Sequence, residues 1–296
     1  MSFFLRLVVL LTLASLAYNL ATRNRDTLRY TGPSVVVDGT RLAYAHWGTH
    51  GSAILLLGGF VEPTWVWHRA APLLAHDHRV FAIDLPPFGY SQRRGPYSLA
   101  RWTALAHGFI RRERLGRPVV VGHSLGAAVA VSLAKDASGI VLLDGDALPG
   151  GGRPTWLTAL LVPPWFTSAY RIVTGSDFVF RRVLRGALGP RYRIDRATID
   201  EFQRPFRLPG TAAAFKAMLR YGIQGVAQQA LRSVPIPSLV LWGADDSVDS
   251  PAAGRRTAGL LGSRFQAIPG AGHLSMLVAP AAVARAVDEF AARRRS

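Results

Sequence analysis

The sequence predicts an α/β protein: a doubly wound, mostly parallel sheet flanked by helices and interrupted once by a helical insertion. Three observations carry this expectation. Short apolar runs recur at residues 53–57, 79–85, 118–121, 139–143, 238–242 and 264–268, with the continuous hydrophobicity of strands covered on both faces. Helical stretches at 99–115, 125–134, 252–261 and 281–292 separate them, and such β/α alternation is the pattern of parallel sheets. Finally, 296 residues of which 49% are hydrophobic and 18% charged can bury a large core and are too apolar for a disordered chain.

Residues 1–20 stand apart. Arg6 precedes an apolar run from Leu7 to Ala17, the layout of a signal-peptide core, and Ser15-Leu-Ala17 offers small residues suited to cleavage. The stretch 3–20 would extend about 27 Å as a helix, slightly short of a bilayer core, so an uncleaved anchor fits as well. Cleavage would export the domain. For an anchor, Arg23, Arg25 and Arg29 outnumber Arg6 and would keep the domain cytoplasmic. Tyr18 and Leu20 prolong the apolar run and favour the anchor, so the expectation is association with a membrane surface through residues 1–20.

The first part of the core is expected over 34–148. It opens with a β-hairpin, 34–37 and 41–47 around Asp38-Gly39, because a DG pair suits a tight two-residue turn. The run 53–57 ends in Gly58-Gly59. Residues 149–233 then break the alternation: no strand is evident, and Trp156, Trp165, Phe166, Tyr170, Phe178 and Phe180 are punctuated by Gly and Pro. About 85 residues is far too long for a loop. A mainly helical cap over the carboxyl ends of the strands is expected there, with 234–292 completing the core.

Composition narrows the chemistry. Lys+Arg number 35 against 18 Asp+Glu, a net charge of +17, and only Lys135 and Lys216 are lysines. The arginines are dispersed, whereas a nucleic-acid binder gathers them on one stripe with stacking aromatics. No nucleic-acid partner is expected; a coding preference for arginine over lysine accounts for the charge, with attraction to anionic lipid surfaces the second reading. With zero cysteines, disulfides, thiolate zinc sites and a cysteine nucleophile are excluded. No ligand cluster has metal spacing, so neither metal nor organic cofactor is expected.

Gly122-His-Ser124-Leu-Gly126 is the strongest chemical signal. It lies between an apolar strand and an Ala-rich helix, the setting of a nucleophile elbow. Such a turn holds the serine in a disfavoured conformation, so side chains at 122 and 126 would collide. The helix N-terminus offers free N–H groups to a developing oxyanion. A serine needs a base, and the base an orienting acid. Of eight histidines, His273 in Pro269-Gly-Ala-Gly-His273 sits in a Gly-rich loop beyond the last strand, placed to reach across the sheet top. His123 should point away from the serine hydroxyl. For the acid, Asp245 and Asp246 both end the strand 238–242, and Asp144 follows another strand and remains an alternative.

The order Ser, Asp, His in these settings resembles the α/β-hydrolase family, over residues 34 to 290. Leu55-Leu-Leu-Gly58-Gly59-Phe60 is similar to the family's oxyanion loop, Asp84-Leu-Pro-Pro87-Phe-Gly-Tyr-Ser91 to the turn after the fourth strand, Gly243-Ala-Asp245-Asp246 to the acid loop and Gly270-Ala-Gly272-His273 to the histidine loop. The resemblance selects Asp246 over Asp245 and implies that the backbone N–H groups of Phe60 and Leu125 form an oxyanion hole. Three positions depart from the family pattern: Gly58 stands where a bracing histidine is common, Pro87 replaces a usual Gly, and Val278 stands where Glu is frequent.

The expected protein is a serine hydrolase cleaving a carboxylic ester of a small hydrophobic substrate through an acyl-enzyme. Ser124, Asp246 and His273 are expected to be catalytic, with Trp156, Trp165 and Phe166 against substrate. The same triad could instead serve carbon–carbon bond hydrolysis or perhydrolysis, or the fold could be a ligand receptor with little turnover.

Overall fold

The computed structural model describes residues 2–23, 27–150, 164–222 and 224–293. Helix α1 (Phe3–Ala21) leads, and the hairpin β1 (Ser34–Val37) and β2 (Thr40–Trp47) follows, turning at Asp38-Gly39 with positive φ at both residues. Six further strands are β3 (Ser52–Leu57), β4 (His78–Ile83), β5 (Val119–His123), β6 (Gly139–Leu143), β7 (Ser238–Gly243) and β8 (Arg264–Ile268). They form one sheet in the order β1-β2-β4-β3-β5-β6-β7-β8, antiparallel at β1, β2 and β4 and parallel from β4 to β8. The fold class expected from the sequence is the fold observed.

Register places the site. Leu57 pairs with Gly122, His123 with Leu143, Leu143 with Leu241, and Gly243 with Ile268. The parallel strands therefore end level, and the loops after them open side by side at one edge, where open α/β sheets bind ligands. Strands β5 and β6 are buried at every residue, which is why each carries a run of Val, Ile and Leu, 119–121 in β5 and 140–143 in β6.

Between the strands run short α2 (Ala71–Leu74), α3 (Leu99–Arg112) and α4 (Leu125–Ser132). Helix α3 buries Trp102, Leu105, Ala106, Phe109 and Ile110, the 3–4 spacing of an amphipathic helix, and Ser98 Oγ accepts from Arg101 N–H at its start. Helix α4 is buried from Leu125 to Val131, and its Ala and Gly residues let it lie close against the sheet.

Between β6 and β7 the chain forms α5 (Trp165–Gly175), α6 (Asp177–Leu188), α7 (Arg196–Gln203), α8 (Thr211–Tyr221) and α9 (Gln228–Arg232). Among the ties between this insertion and the body is Arg93, from the loop after β4. Its guanidinium donates to Gly89 O and Ser91 O on the body side and to Pro205 O and Thr211 Oγ1 in the insertion. Helices α10 (Pro251–Leu261), α11 (Ser275–Val278) and α12 (Pro280–Ala292) complete the chain.

Candidate active site

Ser124 sits between β5 and α4 at φ 49°, ψ −118°, a conformation that costs energy for any residue with a side chain. The surroundings hold it there. Ser124 N–H donates to Leu143 O at 3.0 Å, and a Cβ on Gly122 would lie 2.3 Å from Gly126 O. The turn can close only because that side chain is absent.

His273, in the loop after β8, turns its ring toward this serine: Nε2 is 3.1 Å from Ser124 Oγ, and Nδ1 is 2.9 Å from Asp246 Oδ2. The other oxygen of Asp246 accepts from Val248 N–H at 2.8 Å and Asp249 N–H at 3.0 Å. The carboxylate is thus buried and fixed, whereas the neighbouring Asp245 is exposed and takes part through its backbone N–H, bonded to Ala271 O.

Asp144, the alternative acid, does something else. It is fully buried at positive φ, its Oδ1 accepts from Gly243 N–H at 2.6 Å, and its Oδ2 accepts from the Ser275 hydroxyl. It therefore pins the loop carrying Asp246 to the segment just after His273. Burial pushes its carboxyl up to about 6, against the pull of His123 and of the bonds from Ser275 and Gly243.

Sequence reasoning missed a second support. Glu62 Oε2 accepts from Gly59 N–H at 2.7 Å and from His123 Nδ1 at 2.9 Å, while His123 Nε2 donates to His273 O at 2.8 Å. Both ring nitrogens face acceptors, so the buried imidazole is held as the cation. Burial alone would lower its pKa; the charge and hydrogen bond of Glu62, Asp144 and the His273 carbonyl outweigh that and raise it to about 9. The Gly59-to-Glu62 loop, left without a histidine at Gly58, is braced by Glu62 instead. The available signals were a glutamate three residues after a Gly-Gly pair and a histidine beside the serine, and neither fixes a partner without coordinates.

This loop lies against the serine: a Cβ on Gly59 would come within 2.8 Å of Ser124 Cβ. Val61, β-branched and at φ 68°, is a strained residue held by its neighbours. Phe60 follows Gly59 directly, and Leu125 N–H belongs to the first turn of α4, which has no intrahelical acceptor. The Phe60 ring packs edge-on against Phe88 and Phe215, and Phe215 continues to Phe206 and Tyr170. Of the aromatic residues expected against substrate, Phe166 stacks on Tyr170, Trp165 opens α5 half-buried, and Trp156 lies outside the described residues. The Phe60 ring meets Phe215, which the sequence did not single out.

A groove of about 1280 Å³ between β1 and α3 contains none of these groups. Hydrogen-bond chemistry, not groove size, locates the site. Among the described residues no cluster of His, Asp and Glu could hold a metal ion.

Known proteins agree with this architecture. The profile of the alpha/beta hydrolase family matches residues 50–286. An uncharacterized hydrolase of Bacillus subtilis, YugF, is 25% identical over 262 residues, covering 86% of this chain and 95% of the relative. A 2-hydroxy-6-oxo-6-(2'-aminophenyl)hexa-2,4-dienoic acid hydrolase of Metapseudomonas resinovorans is 25% identical over 277 residues, covering 90% and 92%. Among solved structures, a membrane phospholipase A described as a bacterial virulence factor superposes with TM-score 0.72 at 22% identity, covering 99% of both chains.

Proposed function

The chain belongs to the α/β-hydrolase family, and from that premise we propose that it is a serine hydrolase cleaving a carboxylic ester of a hydrophobic substrate. The observation that carries this is the unbroken chain Asp246–His273–Ser124, at 2.9 and 3.1 Å. His273 Nε2 takes the hydroxyl proton as Ser124 Oγ attacks the carbonyl carbon, and returns it to the leaving alkoxide. Asp246, with one oxygen on Nδ1, fixes the ring tautomer and stabilises the imidazolium. The N–H groups of Phe60 and Leu125 receive the oxyanion, one from the loop braced by Glu62 and one from the start of α4. Water, deprotonated by His273, then cleaves the acyl-enzyme.

The hydrophobic acyl side follows from the row Phe60, Phe215, Phe206 and Tyr170, which leads from the nucleophile into the insertion. In this reading the insertion at 149–233 is a cap roofing the pocket, and α1 is an uncleaved membrane anchor. Its length and mean hydropathy of 1.9 suffice to cross a bilayer. The Metapseudomonas relative favours a second reading, carbon–carbon hydrolysis of a dienoic acid by the same three residues.

A panel of p-nitrophenyl esters of increasing acyl length, run beside Ser124→Ala and with fluorophosphonate labelling, tests the proposal. Sustained turnover rising with acyl length, lost in the variant, is expected. Labelling of Ser124 without ester turnover, together with cleavage of a 2-hydroxy-6-oxo-dienoic acid, would replace the ester reading with the second.

A further inference from the structure

We propose that α1 and the outer side of helices α5 and α6 form one bilayer-facing surface, so that the ester reaching Ser124 comes from a membrane lipid. This rests on the ester-hydrolase reading and names its substrate class.

The first observation is how α1 docks. Its less exposed residues Val8, Thr12, Ser15, Tyr18 and Asn19, with Thr22 at the C-cap, lie along one stripe of the helix, and most of that stripe is polar. Ser15 Oγ is 2.6 Å from Ser168 Oγ, and Ser168 Oγ is 3.1 Å from Asn19 Oδ1. Asn19 Nδ2 donates to Pro164 O at 3.0 Å, and Arg171 donates to Asn19 O at 2.6 Å and Thr22 Oγ1 at 3.0 Å. Hydroxyls and amides on an apolar helix are costly in hydrocarbon unless a partner helix satisfies them, and here α5 is that partner. A leader cut after Ala17 would remove Ser15 from the buried Ser168. The rest of α1 is exposed and, Arg6 apart, built of apolar and small residues, from Phe3 (84%) to Leu20 (63%).

The second observation is independent of α1. Beside Ser168 and Arg171, α5 exposes Ile172 and Val173, and α6 exposes Phe178 (78%) and Val183. Helix α6 already buries Phe180, Leu184 and Leu188, so Phe178 and Val183 are surplus to its packing. Between them stand Arg181 and Arg182, on a chain of net charge +17. Large apolar side chains beside the exposed Arg182 suit the boundary between anionic headgroups and acyl chains, while the Arg181 guanidinium donates to Ile194 O.

Helix α5 joins this surface to the chemistry. Its other side carries Tyr170, whose ring lies 6.0 Å from Phe215, itself 6.0 Å from Phe60. An acyl chain leaving the bilayer along α5 meets an aromatic wall that ends at Phe60, in the loop whose Gly59 lies against Ser124.

The test uses the full chain with vesicles of phosphatidylcholine and phosphatidylglycerol, comparing fatty-acid release from those lipids with turnover of soluble p-nitrophenyl butyrate. For the double variant Ile172→Ser/Phe178→Ser we expect soluble turnover to stay as in the parent and vesicle hydrolysis to fall about tenfold, the scale of losing one buried aromatic side chain. Phe178→Trp, a milder change, should be quenched by vesicles with brominated acyl chains. Unchanged vesicle hydrolysis in the double variant, absence of quenching, or a patch whose variants alter only the oligomeric state would each overturn the proposal, the last making the patch a contact between copies. A parent that cleaves neither ester, with quenching still seen for Phe178→Trp, would overturn the ester reading while leaving the membrane-facing surface in place.

Discussion

At the carboxyl edge of the sheet, the side chains supporting the site are buried and hydrogen-bonded to backbone: Asp144 to Gly243, Glu62 to Gly59, His123 to His273. The helical insertion is held differently. Arg93 gathers carbonyls from both sides of the junction, beside bonds such as Leu274 N–H to Ala187 O and Leu99 N–H to Gln224 Oε1, and amphipathic helices such as α6 leave Phe178 and Val183 in the open. The sheet edge holds Ser124, His273 and Asp246 to within hydrogen-bond tolerance, the precision that the proposed hydrolysis demands. The insertion fixes only its inner, aromatic side and leaves the outer one to its surroundings.

Changes at the sheet edge should therefore act on the chemical step. Ser124→Ala and His273→Ala are each expected to lower kcat for p-nitrophenyl butyrate by about 10⁵-fold, with the double variant no worse, since the groups work as a unit. Additive losses would break that unity. Asp246→Asn should cost up to about 10⁴-fold in kcat, because an amide favours the wrong imidazole tautomer, whereas Asp245→Asn, exposed and bonded only through its backbone, should leave kcat unchanged. Equal effects at the two positions would dissolve the distinction drawn by burial.

Removing the brace should act at one remove. Glu62→Ala is expected to lower kcat about 10²-fold, toward the cost of losing an oxyanion donor, with little change in KM; a pure KM effect would deny the loop its role in the transition state. The same network carries a pH signature. His123 has its folded pKa raised to about 9 against about 6.5 unfolded, so its contribution is complete below about pH 6.5 and falls away as pH rises toward 9. The loss is on the order of 3 kcal/mol. Thermal denaturation across that range should show Tm falling in the parent and a flatter profile in His123→Gln.

The smallest effect on chemistry is expected in the insertion. Arg93→Met leaves several carbonyls without a donor and should cost about 2 kcal/mol of stability, raising KM for long esters several-fold while kcat for short ones stays near the parent value. A large fall in kcat for short esters would show that the insertion also positions reacting groups.

The sequence alone was enough for the fold class, the strands and the helices α3, α4, α10 and α12, though not for the separate helices of the insertion. Local pattern decides them: continuous apolar runs make covered strands, 3–4 spacing makes α3, and Asp38-Gly39 makes the hairpin turn. It was enough, too, to single out Ser124 and His273, because a strained strand-to-helix turn and a flexible glycine loop leave marks over a few residues. The partners of these groups were decided only by the tertiary structure. Asp144, Asp245 and Asp246 all follow strands, and burial with register across β6, β7 and β8 gives the imidazole to Asp246 and makes Asp144 a tie between loops. Glu62 and His123 lie 61 residues apart, and Ser15 and Ser168 lie 153 apart. No spacing rule links such pairs; they meet because the sheet's strand order and the folding-back of the insertion carry distant segments to one place.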